Sequence, residues 1–200
     1  MREPFIKFIE SKLEPGTLLI ACGLPGTWKT ETTEEVSKIK GFPILRTDLI
    51  RLEVLKDVDI FDEKLASNYE IRKRVYTEMF KRAEDNVLKN DGVILDATFV
   101  TQELRRRAAK IAAEQNKIFV ILQTNCSKDV SINRITSRTK ENYESNALTE
   151  QAYINNLKKF EKVDLDDLKR LYPKLKILHL TVDTELDNPS DWYIISMEKR

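Results

Sequence analysis

Two rhythms of apolar residues run through the chain. Short runs in which most positions are apolar predict strands over residues 18–22, 42–46, 93–96, 117–122 and 175–182. Between them, apolar residues recur every three or four positions. Phe5, Ile6, Phe8, Ile9 and Leu13 predict an opening packing helix over 4–12, stopped by Pro15-Gly16. Ile71, Val75, Met79, Ala83 and Val87 predict a long helix over 67–90 that ends at Asp91-Gly92. Further helices are predicted over 29–39 (closed by Gly41), 101–115, 127–138, 148–160 (capped by Thr149) and 165–171, and Asn188-Pro189-Ser190 predicts the start of a terminal helix. Residues 56–64, of mixed charge and little period, read as a mobile connection, and the polar stretch 140–147 as a loop. The run Val93-Ile94-Leu95 has no polar position, the pattern of a strand buried on both faces of a parallel sheet. Strands alternating with helices imply right-handed crossovers, hence a three-layer α/β fold with helices on both faces of the sheet.

Composition narrows this picture. At 200 residues, 41% hydrophobic and 34% charged, the chain suits one soluble domain, with or without a small lid. A formal net charge of +1 advertises neither a nucleic-acid nor a membrane partner, although a local basic groove stays open. No apolar run approaches the ~20 residues of a membrane span. The first residues lack the apolar centre of a signal peptide, so a cytoplasmic location is expected. Cys22 and Cys126 each end an apolar run and read as reduced core thiols; they could approach each other if the first and fourth strands adjoin. The single histidine, His179, sits in a strand-like alternation and reads as structural, and no Cys/His metal cluster can be assembled. Arg105-Arg106-Arg107 point in three directions on a helix, so a single basic patch is not expected and most of it reads as solvated.

The stretch that carries chemistry is Gly23-Leu24-Pro25-Gly26-Thr27-Trp28-Lys29-Thr30, placed between the first strand and the first long polar helix. It matches the phosphate-loop template G-x-x-x-x-G-K-[ST] with one departure: Trp28 stands where the template has glycine. Small residues let successive amides turn inward, and the helix N-terminus presents unpaired N–H groups to a phosphate. Lys29 would reach the β- and γ-phosphates and the Thr30 hydroxyl would ligate Mg²⁺. An indole inside the loop would fill the anion's place, so Trp28 is expected at the mouth of the site with its backbone amide left to the phosphates. Asp48 and Asp96 follow the second and third strands, at the same carboxyl edge of the sheet where ligands gather. Asp96 suits a carboxylate reaching Mg²⁺ through water, or else a turn cap. Asp48 suits a base or hydroxyl orienter, or else the N-cap of its helix. Arg134 and Arg138, four residues apart, could close over phosphates or form a solvated helix face.

These pieces resemble the small P-loop kinases of the polynucleotide kinase and gluconate kinase type, and more closely kinases grouped as AAA-type ATP-binding proteins. The resemblance rests on the loop at 23–30, on Arg46-Thr47-Asp48-Leu49-Ile50-Arg51, on Val93-Ile94-Leu95-Asp96-Ala97-Thr98-Phe99 and on Arg134-Ile135-Thr136-Ser137-Arg138. It runs from about Thr17 to Phe160 and implies a five-stranded parallel sheet in the order 2-3-1-4-5 with a small helical lid around 127–147; a single domain is expected over 1–200. It also implies that Asp48, followed three residues later by Arg51, activates the acceptor hydroxyl and binds substrate, and that Arg134 and Arg138 are lid arginines. Ser145-Asn146-Ala147 departs from the Ser-Asp-Ala of similar kinases. The expected activity is transfer of a phosphoryl group from ATP, with Mg²⁺, to a hydroxyl of a small molecule or a nucleic-acid 5′ end. Neutral charge and the lack of an aromatic-plus-basic stripe count mildly against long nucleic acids without removing them. The alternatives are a nucleotide-binding regulatory module, in which Trp28 has weakened catalysis, and a toxin-like kinase.

Overall fold

The computed structural model describes residues 2–55, 68–137 and 149–200. In chain order the elements are β1 (Glu3–Pro4), α1 (Phe5–Lys12), β2 (Thr17–Cys22), α2 (Lys29–Lys40), β3 (Ile44–Arg46), α3 (Thr47–Val54), α4 (Tyr69–Lys89), β4 (Gly92–Asp96), α5 (Gln102–Glu114), β5 (Ile118–Asn125), α6 (Lys128–Thr136), α7 (Glu150–Lys159), α8 (Leu165–Leu171), β6 (Ile177–Asp183), a 3₁₀ turn (Pro189–Asp191) and β7 (Tyr193–Lys199). The predicted connections at 56–64 and 140–147 lie outside the described residues, as do Arg138 and the later part of the expected lid, 138–147.

Helix starts obey local chemistry. Asn68, Thr101, Ser127, Thr149 and Asp164 each accept a backbone N–H of their helix on a side-chain oxygen. Such a cap is typically worth about 1 kcal/mol, because it satisfies a donor that the helix itself leaves unpaired. Gly41 closes α2 in the left-handed conformation, its N–H bonded to the Ser37 carbonyl at 2.7 Å.

The strands form one sheet in the order β1-β7-β6-β5-β2-β4-β3. Alternate side chains of the central strands enter two separate cores. Leu18, Ile20, Cys22, Val93, Leu95, Phe119 and Ile121 face α4, α5 and α8, while Leu19, Ile94, Val120 and Leu122 face α1 and α2. This two-sided burial explains why those strands show no polar alternation.

The five expected strands do run parallel in the expected order, here β3-β4-β2-β5-β6. The sheet as a whole, however, has seven strands and is mixed: β7 returns antiparallel to β6, and the two-residue β1 pairs antiparallel with β7. The terminal helix predicted at Asn188-Pro189-Ser190 is instead a three-residue 3₁₀ turn. Asn188 caps that turn as it would cap a helix, accepting the Ser190 N–H, but Trp192 is then drawn into the core against Phe5, with ring centroids 5.9 Å apart. Its indole N–H donates to the Leu186 carbonyl at 2.7 Å, and the chain beyond it turns back as a hairpin on β6. A capping signal marks a turn, and burial of a large aromatic decides whether a helix or a strand grows from it.

Candidate active site

Strand β2 ends at Cys22, and the chain then bends through two glycines with positive φ, Gly23 (145°) and Gly26 (79°), before α2 begins. Neighbours press on both. A Cβ on Gly23 would lie 2.8 Å from the Thr124 hydroxyl at the end of β5, and one on Gly26 would collide with the Ser131 carbonyl of α6. Thr27 Oγ1 is 2.7 Å from Thr124 Oγ1 and donates to the Leu24 carbonyl at 2.8 Å, and Thr184 Oγ1 donates to the Thr27 carbonyl at 3.0 Å. Thr124, Ser131 and Thr184 thus shape the loop from outside, and no sequence motif marks them.

At the helix start, Lys29 Nζ donates to the Leu24 carbonyl at 2.6 Å, folding its ammonium across the loop. Thr30 Oγ1 donates to Asp96 Oδ2 at 2.8 Å. Asp96 is 6% exposed, with Arg46 Nε 3.5 Å from the same oxygen. Register places Arg46 beside Asp96 on adjoining strands, and Arg46 also reaches Glu34 of α2 at 2.5 Å. Burial pushes the Asp96 carboxyl above the ordinary carboxylate range, while the Thr30 hydrogen bond and the Lys29 and Arg46 charges pull the other way. The hydroxyl–carboxylate oxygen pair of Thr30 and Asp96 suits a hard divalent ion that keeps waters and substrate phosphates as its remaining ligands. Among the described residues no group of three or more His, Cys, Asp or Glu side chains could by itself enclose a metal.

Trp28 has φ 56° and ψ 38°, a left-handed conformation that typically costs an L-residue about 1–2 kcal/mol. Its indole packs on the core formed by α1 and α2, its N–H donates to Asp187 Oδ1 at 3.1 Å, and the Arg134 guanidinium lies 4.5 Å from the ring centroid. Arg134, expected over the phosphates, is 8% exposed and engaged here by Asp187 Oδ1 (Nε 3.1 Å, Nη2 2.8 Å), the Glu185 carbonyl (3.0 Å) and the Gly26 carbonyl (3.4 Å). Both donors hold the Asp187 carboxyl below its ordinary range, Arg134 more than Trp28.

On the other flank, Asp48 stands in the first turn of α3, two places inside the cap position, which Arg46 occupies without a side-chain cap bond. The Thr47 hydroxyl ties that turn to the Asp96 carbonyl at 3.4 Å. Arg51 lies one turn on, and its Nε is buried without a hydrogen-bond partner among the described residues. Tyr76 of α4 brings its hydroxyl to 3.5 Å from Thr98 Oγ1 and feels the charges of Arg72 and Asp48. Tyr76 adjoins the apolar stripe of its helix, so periodicity alone reads it as core. Thr98 is held by Phe99, a buried aromatic with φ 43°, and its carbonyl accepts the Gly23 N–H at 3.3 Å.

Arg105 is fully buried rather than solvated: it donates to the carbonyls of Val100, Glu161 and Lys162 and touches Cys22 Sγ at 3.7 Å. Arg106 pairs with Asp167 and Arg107 lies over Phe80, so the three arginines do diverge as helix geometry requires. Both cysteines are free thiols; Cys22 is buried, and Cys126 sits 3.1 Å from Ser131 Oγ. His179 bonds Gln123 at 3.0 Å on the sheet.

Known proteins resemble this chain in sequence or in fold. A family model described as an AAA domain matches residues 18–163. An uncharacterised protein of Mycobacterium tuberculosis (strain ATCC 25618 / H37Rv) is 26% identical over 136 residues, which take in 65% of this chain and 27% of that protein. The chain therefore spans about a quarter of the length of the curated relatives it matches. A sugar kinase from Janibacter sp. HTCC2649 superposes with a TM-score of 0.59 at 13% identity over 88% of each chain. A gluconokinase from Sinorhizobium meliloti 1021 does so with a TM-score of 0.57 at 15% identity, over 87% of this chain and 86% of that one. At these identities the likeness is one of fold.

Proposed function

Since the chain belongs to this AAA domain family and has the fold of P-loop kinases, we propose that it is an ATP-dependent phosphotransferase acting on a hydroxyl of a small molecule or a nucleic-acid 5′ end. The observation that carries the proposal is the Thr30–Asp96 hydrogen bond beside Lys29, with the loop amides turned by Gly23 and Gly26. Phosphoryl transfer asks the protein mainly for positioning and charge neutralisation.

In this reading Gly23, Leu24, Pro25, Gly26, Thr27 and Trp28 cradle the nucleotide phosphates with backbone groups, and Lys29 leaves the Leu24 carbonyl to meet them. Thr30 and Asp96 would hold Mg²⁺, which when bound neutralises charge on the transferring group. Asp48 orients the acceptor hydroxyl and takes its proton. Arg51 offers a buried N–H to an anionic part of the acceptor. Tyr76 and Thr98 add hydroxyls to the same side. Arg134 acts on the nucleotide side, through the loop it touches. No helix among the described residues is long and apolar enough to cross a membrane, and the partners in this reading are a nucleotide and a hydroxyl-bearing acceptor.

The test is transfer of label from γ-labelled ATP to a panel of sugars, sugar acids, nucleosides and 5′-hydroxyl oligonucleotides. Label on an acceptor supports the reading. The left-handed Trp28 favours one second reading, a nucleotide-binding regulatory module; tight Mg·ATP binding with no transfer across the panel would select it.

A further inference from the structure

We infer that Asp187 and Arg134 are positioning residues for the phosphate loop: together they clasp Trp28 and hold in shape a loop whose motif has glycine at that place. This role rests on the nucleotide-binding function proposed above and adds a device particular to this chain.

Position 28 adopts the left-handed conformation that favours glycine, yet carries the largest side chain. A loop with such a residue keeps its geometry only if the side chain gains enough elsewhere. Trp28 gains three contacts: the core between α1 and α2, the Arg134 guanidinium over its ring, and the Asp187 carboxylate on its N–H. The last two come from separate elements, α6 and the segment after β6, and they are bound to each other. Asp187 Oδ1 receives Trp28 Nε1 and both Nε and Nη2 of Arg134. Arg134 Nη1 in turn reaches the Gly26 carbonyl, two residues before Trp28, so one guanidinium touches the loop at two points.

The segment carrying Asp187 is anchored without it. The Leu186 carbonyl accepts the buried Trp192 N–H, Thr184 bonds the Thr27 carbonyl, and the Glu185 carboxylate accepts both the Ser127 N–H (2.6 Å) and hydroxyl (2.7 Å) at the start of α6. The Asp187 side chain is 79% exposed, so its removal opens no cavity. Among the described residues, its side-chain hydrogen bonds and ion pair are those of the clasp. A residue so placed has a conditional effect: it matters to the loop while position 28 is tryptophan and loses its purpose when the residue there adopts the left-handed conformation unaided.

That condition is the experiment. Asp187→Ala and Asp187→Asn are made in the parent and in two backgrounds, Trp28→Gly and Trp28→Asn, because asparagine also tolerates the left-handed region and guards against one background failing to fold. Two quantities are read: Mg·ATP affinity by calorimetry, and amide hydrogen exchange of the peptide spanning 23–30 by mass spectrometry, with melting temperature as the check on global folding. In the parent, Asp187→Ala should weaken Mg·ATP by about three- to tenfold and speed loop exchange while Tm stays near its starting value; Asp187→Asn, which keeps an acceptor for Trp28 but loses the charge, should fall between. In either background the same substitutions should change affinity and exchange by less than about twofold. Equal losses in parent and background, or no change in the parent, would overturn the clasp. If no variant, parent included, binds Mg·ATP, the proposed function fails, and loop exchange alone then decides whether the clasp holds the loop.

Discussion

On the β5 side of the site, the phosphate loop meets a partner at each bend: Thr124 against Gly23 and Thr27, Ser131 against Gly26, Thr184 on the Thr27 carbonyl, Asp187 and Arg134 around Trp28. On the β3 side, α3 presents Asp48 half-buried, Arg51 with an Nε that has no hydrogen-bond partner among the described residues, and Leu49 and Leu52 at 48% and 39% exposure. The difference reflects what each side would handle. In the proposed reading the donor side meets the same nucleotide phosphates at every turnover, so it can be built to them in advance and held by packed neighbours. An acceptor must enter and leave, and its recognition falls to side chains that still present a face to solvent. Within the loop itself, strain falls on Trp28, which carries a positive φ.

The largest effect expected is on the acceptor side. Asp48→Asn should cut phosphoryl transfer by at least about 100-fold while Mg·ATP affinity and Tm stay near the parent, since general-base catalysis commonly contributes about 10²–10⁴. Labelled transfer to whichever acceptor the panel identifies measures it, and a variant that keeps most of its rate would leave the acceptor side without a base at this position. Lys29→Ala addresses the donor side. Loss of a charge-assisted contact to phosphate should weaken Mg·ATP at least about tenfold by calorimetry, and equal affinities would end the phosphate-loop reading.

Asp96→Asn separates stability from function. The buried carboxyl is held above its usual range, so the neutral amide should stabilise the nucleotide-free protein by about 0.5–2 kcal/mol while Mg·ATP affinity falls. Melting curves with and without Mg·ATP show both changes; a variant less stable than the parent would mean that the Arg46 and Thr30 contacts outweigh the burial.

The smallest effect concerns a joint behind the site. The Arg106 guanidinium holds the Asp167 carboxyl at about 2, below its ordinary 3.8. Because the folded value is depressed, this pair stabilises the fold above about pH 4 and loses that contribution as pH falls toward about 2. Allowing for solvent around Arg106, Asp167→Asn should cost about 1 kcal/mol at neutral pH and flatten the fall of Tm between about pH 4 and 2, with Mg·ATP affinity unchanged. A pH profile parallel to the parent's would show that the acid loss arises elsewhere.

Much of the placement of the candidate site was legible in the residues themselves. The loop at 23–30, the strand before it, Asp48 after the second predicted strand and Asp96 at the end of a wholly apolar run are local signals, and the sheet brings them to one edge in the order that βαβ handedness requires. Other features were not legible. Arg105 stands in a run of three arginines, and nothing local tells that one of them is buried under five acceptors. The Asn-Pro-Ser turn before β7 has the same local chemistry as a helix start.

By itself the sequence determined the five parallel strands, the helices that cover them and the phosphate loop, because each depends on neighbours within a few residues: apolar runs, caps, glycines before a lysine. Only the tertiary structure decided the antiparallel edge of β7 and β1, the burial of Arg105, and the clasp on Trp28. Asp187 lies 159 residues from Trp28 and 53 from Arg134. Such contacts leave no periodic trace in the chain, since their partners are chosen by the packing of whole elements and are in reach only after the sheet has formed.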